Sequence, residues 1–286
     1  MLKSPHPLID IGVNMSSSRL LKRREEVLSR ALSAHVKGLI FTGTDLDSSE
    51  LLCELCDSEH NGTPRLWSTA GVHPHDAERV LTESPSELAW IDRLRRVHEH
   101  PSVVAVGECG LDFERNYSPP KVQRAVFEAQ LRLAVEMQKP LFLHQRGAQH
   151  DFLAMLTDYL TDLPIIGPEG ERAAVVHCYT DGPELLETLV DLGCSIGITG
   201  WICDERRADL LRDAVTHLPL SRVLVETDAP YLIPRTLRPK PKKGFNEPAY
   251  LPHILEQISL YMKASVDQIS LASLVNTQRL FSISLE

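Results

Sequence analysis

The sequence predicts an α/β fold, and within that class a (β/α)8 barrel, from three observations. Short apolar segments recur along the chain without strict alternation of polar and apolar residues, as in strands that are covered on both faces. Helix-like segments separate them, and such alternation of strands and helices is typical of a barrel of parallel strands. The length of 286 residues is close to the about 250 residues typical of these barrels.

No linker or low-complexity segment interrupts the predicted elements. The strands are predicted at residues 8–13, 38–42, 65–71, 103–108, 140–144, 173–177, 194–199 and 223–228. The helices are predicted at residues 18–36, 86–98, 121–137, 151–160, 184–192, 204–218, 252–261 and 266–280. We therefore expect one TIM-type barrel domain over residues 1–286. The longest irregular segment, residues 233–248, follows the eighth strand and is expected at the mouth of the barrel.

The overall charge limits the kinds of partner that the chain can bind. The formal net charge is −9 and the isoelectric point is about 5.7. A broad face that coats DNA regardless of sequence needs excess positive charge, so this class is excluded. A nucleic-acid substrate is not excluded, because a metal ion and a local basic loop can supply positive potential where phosphate binds.

The six cysteines indicate reduced thiols and a cytoplasmic protein. Cys53 and Cys56 form a C-x-x-C pair, but no second pair accompanies it, so packing is favoured over a zinc or redox site. The N-terminal segment lacks the apolar core of a secretory signal, and no apolar run approaches the ~18 residues of a membrane span. Binding to a membrane is therefore not expected.

Four of the predicted strands end in a residue that can bind a metal ion. These residues are Glu108, His144, His177 and Asp228. A titratable group at the end of a buried apolar strand is unfavourable unless something pairs with it, and parallel strands deliver their ends to one edge. Carboxylate and imidazole together suit Zn²⁺, Mn²⁺ or Mg²⁺. The sequence thus predicts a metal-dependent hydrolase, the alternative being four separate structural polar residues.

The end of the eighth strand carries two carboxylates. Glu226 and Asp228 are two residues apart, so both should point to one face while Thr227 points away. Asp228 is predicted to bind the metal and to act as catalytic base toward the attacking water, with Glu108 as the second catalytic carboxylate. Glu226 is expected to orient a ligand or to line the substrate pocket, and a barrel-core ion pair is the alternative.

The first strand departs from the D-x-H-x-H pattern of many metal hydrolases on this barrel. The corresponding residues are Asp10, Gly12 and Asn14, so neither ligand position carries an imidazole. Glycine offers no ligand, and the Asn14 amide offers only a neutral oxygen. We therefore expect one metal ion to be held by fewer protein atoms and more water. This favours Mg²⁺ over tightly held zinc, with Mn²⁺ and Zn²⁺ left open.

Five segments, in order along the chain, resemble signature segments of the TatD family of metal-dependent nucleases. They are residues 71–76 (GVHPHD), 107–113 (GECGLDF), 176–180 (VHCYT), 226–232 (ETDAPYL) and 246–248 (NEP). The first strand and residues 198–207 resemble the bacterial TatD branch. The resemblance implies a (β/α)8 fold and a 3′–5′ exonuclease that prefers single-stranded DNA, with RNA left open, and a role in DNA repair or degradation. It also implies a set of metal ligands, namely Glu108, His144, His177 and Asp228.

Further residues at the predicted mouth are expected to contact the substrate. They are His73, His75, Arg146, Asn14 and Glu226. His73 and His75 follow the third strand, where an imidazole can bond a phosphate oxygen or protonate the leaving group. The alternative for either histidine is a turn residue that caps local backbone.

Arg146 follows the predicted ligand His144 by two residues, so both side chains should leave the strand on the same side. A guanidinium suits bidentate contact with phosphate, and a salt bridge to a neighbouring acid is the alternative. The TatD family usually has an acidic residue after this arginine. Gly147 is present here instead, which removes any orienting role of that acid.

The loop after the eighth strand is basic. Residues 235–243 contain no acid and five cations, namely Arg235, Arg238, Lys240, Lys242 and Lys243. In an acidic chain this run is expected to follow a nucleic-acid backbone at the mouth, or else to be a solvated loop. Some of the aromatic residues that follow strand ends are expected to stack on unpaired bases. These aromatic residues are Phe113, Tyr117, Tyr179, Trp201 and Tyr231.

The sequence thus predicts a monomeric phosphodiesterase that acts on nucleic acid. Two alternatives remain open. An amide or ester hydrolase on the same barrel would need a closed pocket and no basic loop. A barrel that binds nucleic acid without catalysis is favoured by the missing first-strand histidines and opposed by the four strand-end residues.

Overall fold

The computed structural model describes residues 2–58, 62–84, 86–241 and 244–286, without the side chain of Glu87. Each predicted strand is present, with ends that differ by up to four residues from the prediction. The strands are β1 Leu8–Val13, β2 Val36–Phe41, β3 Arg65–Ala70, β4 Val103–Asp112, β5 Leu141–Arg146, β6 Ala174–Val176, β7 Ser195–Ile198 and β8 Val223–Val225.

The strands pair in chain order, and each pair is parallel. The two ends of the sheet meet through a parallel bridge between Val13 and Ala229, and the Asn14 N–H donates to the Ala229 carbonyl at 2.8 Å. The Asp10 carboxylate reinforces this junction, since it accepts the Thr227 N–H at 2.9 Å and the Thr227 hydroxyl at 2.6 Å. The predicted (β/α)8 barrel is thereby confirmed.

Helices follow the strands and cover the outside of the sheet. They are α1 Ser18–Leu21, α2 Arg24–Ser33, α3 Leu46–Asp57, α4 Ala77–Glu83, α5 Glu87–Val97, α6 Pro120–Met137, α7 Gln149–Leu160, α8 Pro183–Asp191, α9 Asp209–Val215, α10 Leu251–Ser259 and α11 Val266–Phe281. Pro120 begins α6, because a proline in the first turn loses no intrahelical hydrogen bond. Within the described residues, no helix is both long enough and apolar enough to cross a bilayer.

The predicted helix at residues 18–36 is wrong in two places. The structure has two helices here, α1 and α2, separated at Lys22 and Arg23, and Val36 is already the first residue of β2. Helix α2 ends at Ser33, and His35 takes a left-handed φ of 68° that turns the chain into the strand. The apolar pattern of α2 continues into the apolar strand, so periodicity alone does not place this boundary.

The core has one layer inside the barrel and another between the sheet and the helices. The inner layer includes Ile9, Ile11, Ile40, Phe142 and Leu224. In the outer layer the rings of Phe127 and Phe152 stack with centroids 5.7 Å apart. Full burial of each such side chain contributes roughly 1.5–3 kcal/mol. These two layers hold the strands in a fixed arrangement, and with them the side chains at the strand ends.

The strands end at different heights around the mouth. Strand β4 continues to Asp112 and β5 to Arg146, whereas β6 ends at Val176 and β8 at Val225. Side chains beyond the shorter strands therefore extend from irregular backbone, and Asp228 has a left-handed φ of 55°. The functional groups that follow β6 and β8 are set by turns rather than by strand alternation.

His98 connects the end of α5 to the sheet. The residue is 2% exposed, and its Nε2 lies 3.0 Å from the carbonyl oxygen of Ala70 at the end of β3. Burial, together with the nearby Lys139 ammonium, lowers the pKa of His98 to about 3. The folded protein therefore keeps this imidazole neutral at mildly acidic pH.

We expect acid to destabilise the fold through His98. The unfolded chain takes up a proton on this histidine below pH 6.5, whereas the folded chain does so only near pH 3, so its stabilising contribution is complete above pH 6.5 and is lost as the pH falls. When the pH is lowered from about 7 to 4, the unfolding free energy of the native protein should fall. In His98→Gln it should fall by on the order of 2 kcal/mol less, because the variant has no imidazole to protonate. Urea unfolding measures both losses, and equal losses would contradict the prediction.

Candidate active site

An open cleft of about 750 Å³ lies at the carboxyl ends of the strands. Its walls include the predicted ligands and most of the predicted substrate-binding residues: Glu108, His144, His177, Asp228, His73, His75, Asn14 and Arg146. These residues are far apart in the sequence, and the parallel strands bring them to one edge of the barrel.

Glu108 is surrounded by three imidazoles. Its side chain is 7% exposed, and its Oε1 lies 3.2 Å from His73 Nε2, 2.9 Å from His144 Nδ1 and 2.8 Å from His177 Nε2. His73 lies in the loop after β3, His144 lies within β5, and His177 directly follows β6. His73, which the sequence places among the substrate-binding residues, therefore lies among the groups that can bind a metal.

These charged groups shift one another's pKa. Burial raises the pKa of Glu108, but the neighbouring His177 and His73 outweigh this effect and hold the pKa well below its usual value. Burial lowers the pKa of His177, but Glu108 and Glu226 outweigh it and raise this pKa well above its usual value. No lysine or arginine of the described residues forms an ion pair with Glu108, Glu226 or Asp228. The cluster is therefore short of fixed positive charge.

The donor set fits a divalent metal ion. The ligand atoms of His73, Glu108 and His144 all lie within 4.8 Å of one another. Imidazole nitrogens combined with carboxylate oxygen are ligands that several divalent ions accept. His177 approaches the same carboxylate oxygen from a further side at 2.8 Å. The cluster is a candidate divalent-metal site that suits more than one ion.

Glu226 is fully buried and contacts the Nδ1 side of the His177 ring. Its Oε2 lies 3.3 Å from His177 Nδ1, and its Oε1 accepts the backbone N–H of Cys178. Two glycines leave the space for this carboxylate, since a Cβ at Gly12 would overlap Oε2 and a Cβ at Gly197 would overlap Oε1. Of the roles that the sequence leaves open, this burial favours orientation of a ligand over direct contact with substrate.

Asp112 is a site residue that the sequence analysis missed. It is 1% exposed, and its Oδ2 lies 2.8 Å from His75 Nε2 and 3.5 Å from His144 Nε2. Burial raises the pKa of Asp112, but the His144 and His75 contacts outweigh this and lower it. The available signal was its position in a strand-end motif, four residues after Glu108.

Asp228 and Asn14 are in direct contact, since Asn14 Nδ2 donates to Asp228 Oδ1 at 2.8 Å. Burial raises the pKa of Asp228 to about 7, against the opposing effect of His177. Thr227 bonds Asp10 instead, but β8 ends before this residue, so the arrangement comes from the turn after the strand and not from the strand alternation that the sequence predicts. A carboxylate that titrates near neutral pH can accept a proton during catalysis.

Arg146 lines the cleft, and its Nη2 lies 2.5 Å from Glu114 Oε1. Because the Glu114 side chain is 59% exposed, this ion pair is weak and a phosphate can compete for the guanidinium. In the basic loop, Arg235 Nε lies 3.5 Å from Glu205 Oε2, so part of the loop's charge is already paired. Two further residues of the predicted basic run lie outside the described residues, namely Lys242 and Lys243.

The six cysteines are free thiols. Cys53 and Cys56 are buried on α3, and burial raises the pKa of Cys56 to about 12. This agrees with a packing role for the C-x-x-C pair, because the thiolate that metal binding or redox chemistry needs is disfavoured.

Comparison with known proteins identifies the family. The sequence matches the model of the TatD related DNase family over residues 9–282. The chain belongs to this family. It is 44% identical over 279 residues to the 3′-5′ ssDNA/RNA exonuclease TatD of Citrobacter rodentium, with 98% of this chain and 99% of that protein covered. It is 43% identical over 276 residues to the Salmonella typhimurium protein of the same name, with 96% and 99% covered.

Solved structures of TatD proteins share the barrel. The TatD homologue YjjV of Escherichia coli superposes with a TM-score of 0.80 at 26% identity, covering 97% of this chain and 98% of that one. A TatD family hydrolase from Entamoeba histolytica gives a TM-score of 0.84 at 23% identity over 98% and 99%; the latter supports the fold alone. Membership of the TatD family confirms the predicted resemblance and makes this protein a nuclease of the hydrolase class.

We expect Glu226→Gln to weaken divalent-metal binding by this TatD-family enzyme about 10- to 100-fold. The amide keeps the size of the side chain but removes the negative charge that faces His177 Nδ1. Isothermal titration with Mn²⁺ measures the affinity directly. Glu136→Gln, which changes an exposed carboxylate paired with Arg95 on the outer face, is the matched control. Equal affinity in Glu226→Gln and the native protein would contradict the prediction.

Proposed function

We propose that this protein is a metal-dependent 3′–5′ exonuclease that acts on single-stranded DNA and also accepts RNA. The observation that carries the proposal is the convergence of three imidazoles on the buried Glu108 carboxylate at an open barrel mouth. The substrate and polarity come from the curated TatD relatives, whose names state a 3′-5′ ssDNA/RNA exonuclease.

In this proposal the metal ligands are Glu108, His144, His177 and Asp228, and His73 joins them. A divalent ion bound there would polarise a phosphoryl oxygen and make a bound water more acidic. Asp228 lines the cleft beside the candidate metal ligands and is assigned to accept the proton of the attacking water. Asn14 holds the Asp228 carboxylate in place through its 2.8 Å hydrogen bond.

The leaving 3′-oxygen and the phosphate oxygens meet the other side chains of the cleft. His75 lines the cleft, and its Nε2 contacts Asp112. We assign the His75 imidazole to donate a proton to the leaving oxygen. Arg146 is assigned to a phosphate oxygen of the substrate, in exchange for its exposed partner Glu114. Glu226 is assigned to orientation of His177, because its burial keeps it from substrate.

We propose Mg²⁺ as the physiological ion. Position 12 offers no side chain and Asn14 offers only an amide, so an ion at this side of the cleft would keep several waters. Mg²⁺ retains water ligands and prefers oxygen, whereas a zinc site is usually completed by protein nitrogen or sulfur.

The alternative functions fit less well. A small-molecule amide or ester hydrolase usually encloses its substrate, whereas this cleft is open and lined by arginines and tyrosines, among them Arg115, Arg146 and Tyr117. A barrel that only binds nucleic acid does not require a buried carboxylate surrounded by imidazoles. The free cysteines support a cytoplasmic location, and we further propose one domain, a monomeric state and a role in DNA repair or degradation.

We expect Glu108→Gln and His177→Ala each to reduce cleavage of a labelled single strand by more than about 100-fold, since a ligand should matter at least as much as its supporting group. Both variants should also bind less Mn²⁺ while keeping the far-ultraviolet circular dichroism of the native protein. His217→Ala, which removes an exposed imidazole paired with Glu187 on the outer face, is the control. Near-native turnover with native metal content in either variant would refute the ligand assignment.

We expect chelator to abolish cleavage and Mg²⁺ to restore it. The physical reason is that the carboxylates of the site lack lysine or arginine partners among the described residues, so an ion must supply the missing positive charge. Digestion of end-labelled single- and double-stranded oligonucleotides with Mg²⁺, Mn²⁺, Zn²⁺ or chelator measures this. Activity in excess chelator would overturn metal dependence, and restoration by Zn²⁺ alone would overturn the choice of ion.

A further inference from the structure

Two tyrosines at the mouth are more exposed than any other aromatic residue of the chain. The structure describes each Phe, Trp and Tyr, and only Tyr117, at 65%, and Tyr231, at 52%, are exposed. Both line the cleft that contains Glu108. A single exposed ring on a protein surface is ordinary, but these two rings line the cleft that contains the candidate metal ligands, where a substrate base can reach them.

The other aromatic residues that follow strand ends are engaged within the protein. Tyr179 is buried, and its hydroxyl donates to the Gly182 carbonyl. The Arg207 guanidinium covers the ring of half-buried Trp201 at 4.4 Å, and Phe113 is covered in the same way by an arginine at 5.1 Å. These rings are not available to a ligand in the way that the two exposed tyrosines are.

The two exposed tyrosines stand on opposite sides of the mouth. Tyr117 lies in the loop after β4, and Tyr231 lies in the loop after β8. Because the eight strands pair in chain order around the barrel, the fourth and eighth are diametrically opposed. The cleft that contains Glu108 is therefore bordered by one tyrosine from each of two opposite loops.

Each of the two tyrosines contacts a residue of the site. Tyr117 makes a T-shaped contact with the His75 ring, with centroids 4.6 Å apart, and His75 is fixed by Asp112 at 2.8 Å. The Tyr231 N–H donates to the Asp228 carbonyl at 3.0 Å. The Tyr117 ring and the Tyr231 backbone are thus held relative to the groups that we assign to catalysis, and a base stacked on either residue would lie close to them.

We propose that Tyr117 and Tyr231 are stacking platforms for two unpaired bases, one on each side of the scissile phosphate. The inference rests on the proposed exonuclease function and specifies how its substrate is selected. Stacking on an aromatic ring tolerates any base sequence but needs a base whose face is free. A duplex end keeps its bases stacked and paired, so this surface selects single strands without reading their sequence.

The test compares two single-stranded DNA oligonucleotides with the native protein and with Tyr117→Leu, Tyr231→Leu and the double variant. One oligonucleotide is natural, and the other carries abasic sites at its last two 3′ nucleotides, so that no base is present to stack. Leucine keeps apolar bulk against His75 but lacks the flat ring. Tyr117→Phe and Tyr231→Phe retain the ring, and Leu260→Ala removes an equally exposed apolar side chain outside the cleft.

We expect each leucine variant to raise KM for the natural strand roughly 5- to 100-fold, which corresponds to the usual strength of one base–aromatic stack. The ratio of KM between abasic and natural strands should be large for the native protein and the phenylalanine variants, and should approach 1 in the double variant. The Leu260→Ala ratio should equal the native one.

Two failures are distinguishable. If the native protein cleaves the natural strand but the leucine variants keep the native ratio of KM values, the stacking proposal is overturned and the exonuclease function stands. If the native protein with Mg²⁺ or Mn²⁺ cleaves neither strand, the proposed function fails, and the inference that rests on it fails as well.

Discussion

The buried Glu108 carboxylate, which has no lysine or arginine partner among the described residues, constrains the arrangement of side chains at the mouth of this barrel. Glu108 is almost inaccessible to water, and burying such a charge is unfavourable unless other groups compensate it. Compensation comes from His73, His144 and His177, which three different strands deliver to one oxygen. The two-layered apolar core keeps those strands in register, so the barrel can hold a site that would otherwise relax or admit water.

The Glu108 and Asp228 carboxylates have different pKa values because their surroundings differ. Glu108 is surrounded by imidazoles that lower its pKa, so it stays anionic, as a metal ligand must. Asp228 faces fewer positive groups, and burial raises its pKa to about 7, where it can exchange a proton. Asp112 lines the cleft and Glu226 is buried outside its lining, and both contact ring nitrogens of the histidines. The proposed roles of ligand, base and support thus all fall to carboxylates, whose protonation is set by their surroundings.

The sequence predicts those parts of the structure that depend on local pattern. Each apolar strand is recognisable, and so are the ligand-type residues that end them. The boundary at Val36 is missed because a helix and a strand share one apolar run. The contact of Asp112 with His75 joins residues 37 positions apart, and it exists only once β3 and β4 lie side by side. The burial of Glu226 likewise depends on glycines in neighbouring strands. The spacing of residues along one strand does not show which residues of other strands will be its neighbours.

The Glu226 carboxylate occupies space that is free only because residues 12 and 197, on β1 and β7, are glycines. A methyl group at either glycine would overlap the carboxylate, and would therefore displace the group that faces His177. Once Glu226 is shortened to alanine, a methyl group at Gly12 has room, because the nearest remaining atom is the Cβ of residue 226 at 3.6 Å. The effects of Gly12→Ala and Glu226→Ala on metal affinity should then be far from additive. In a protein that already carries Glu226→Ala, Gly12→Ala should cause little further loss. A side chain larger than hydrogen at position 12 is therefore incompatible with the observed position of the Glu226 carboxylate.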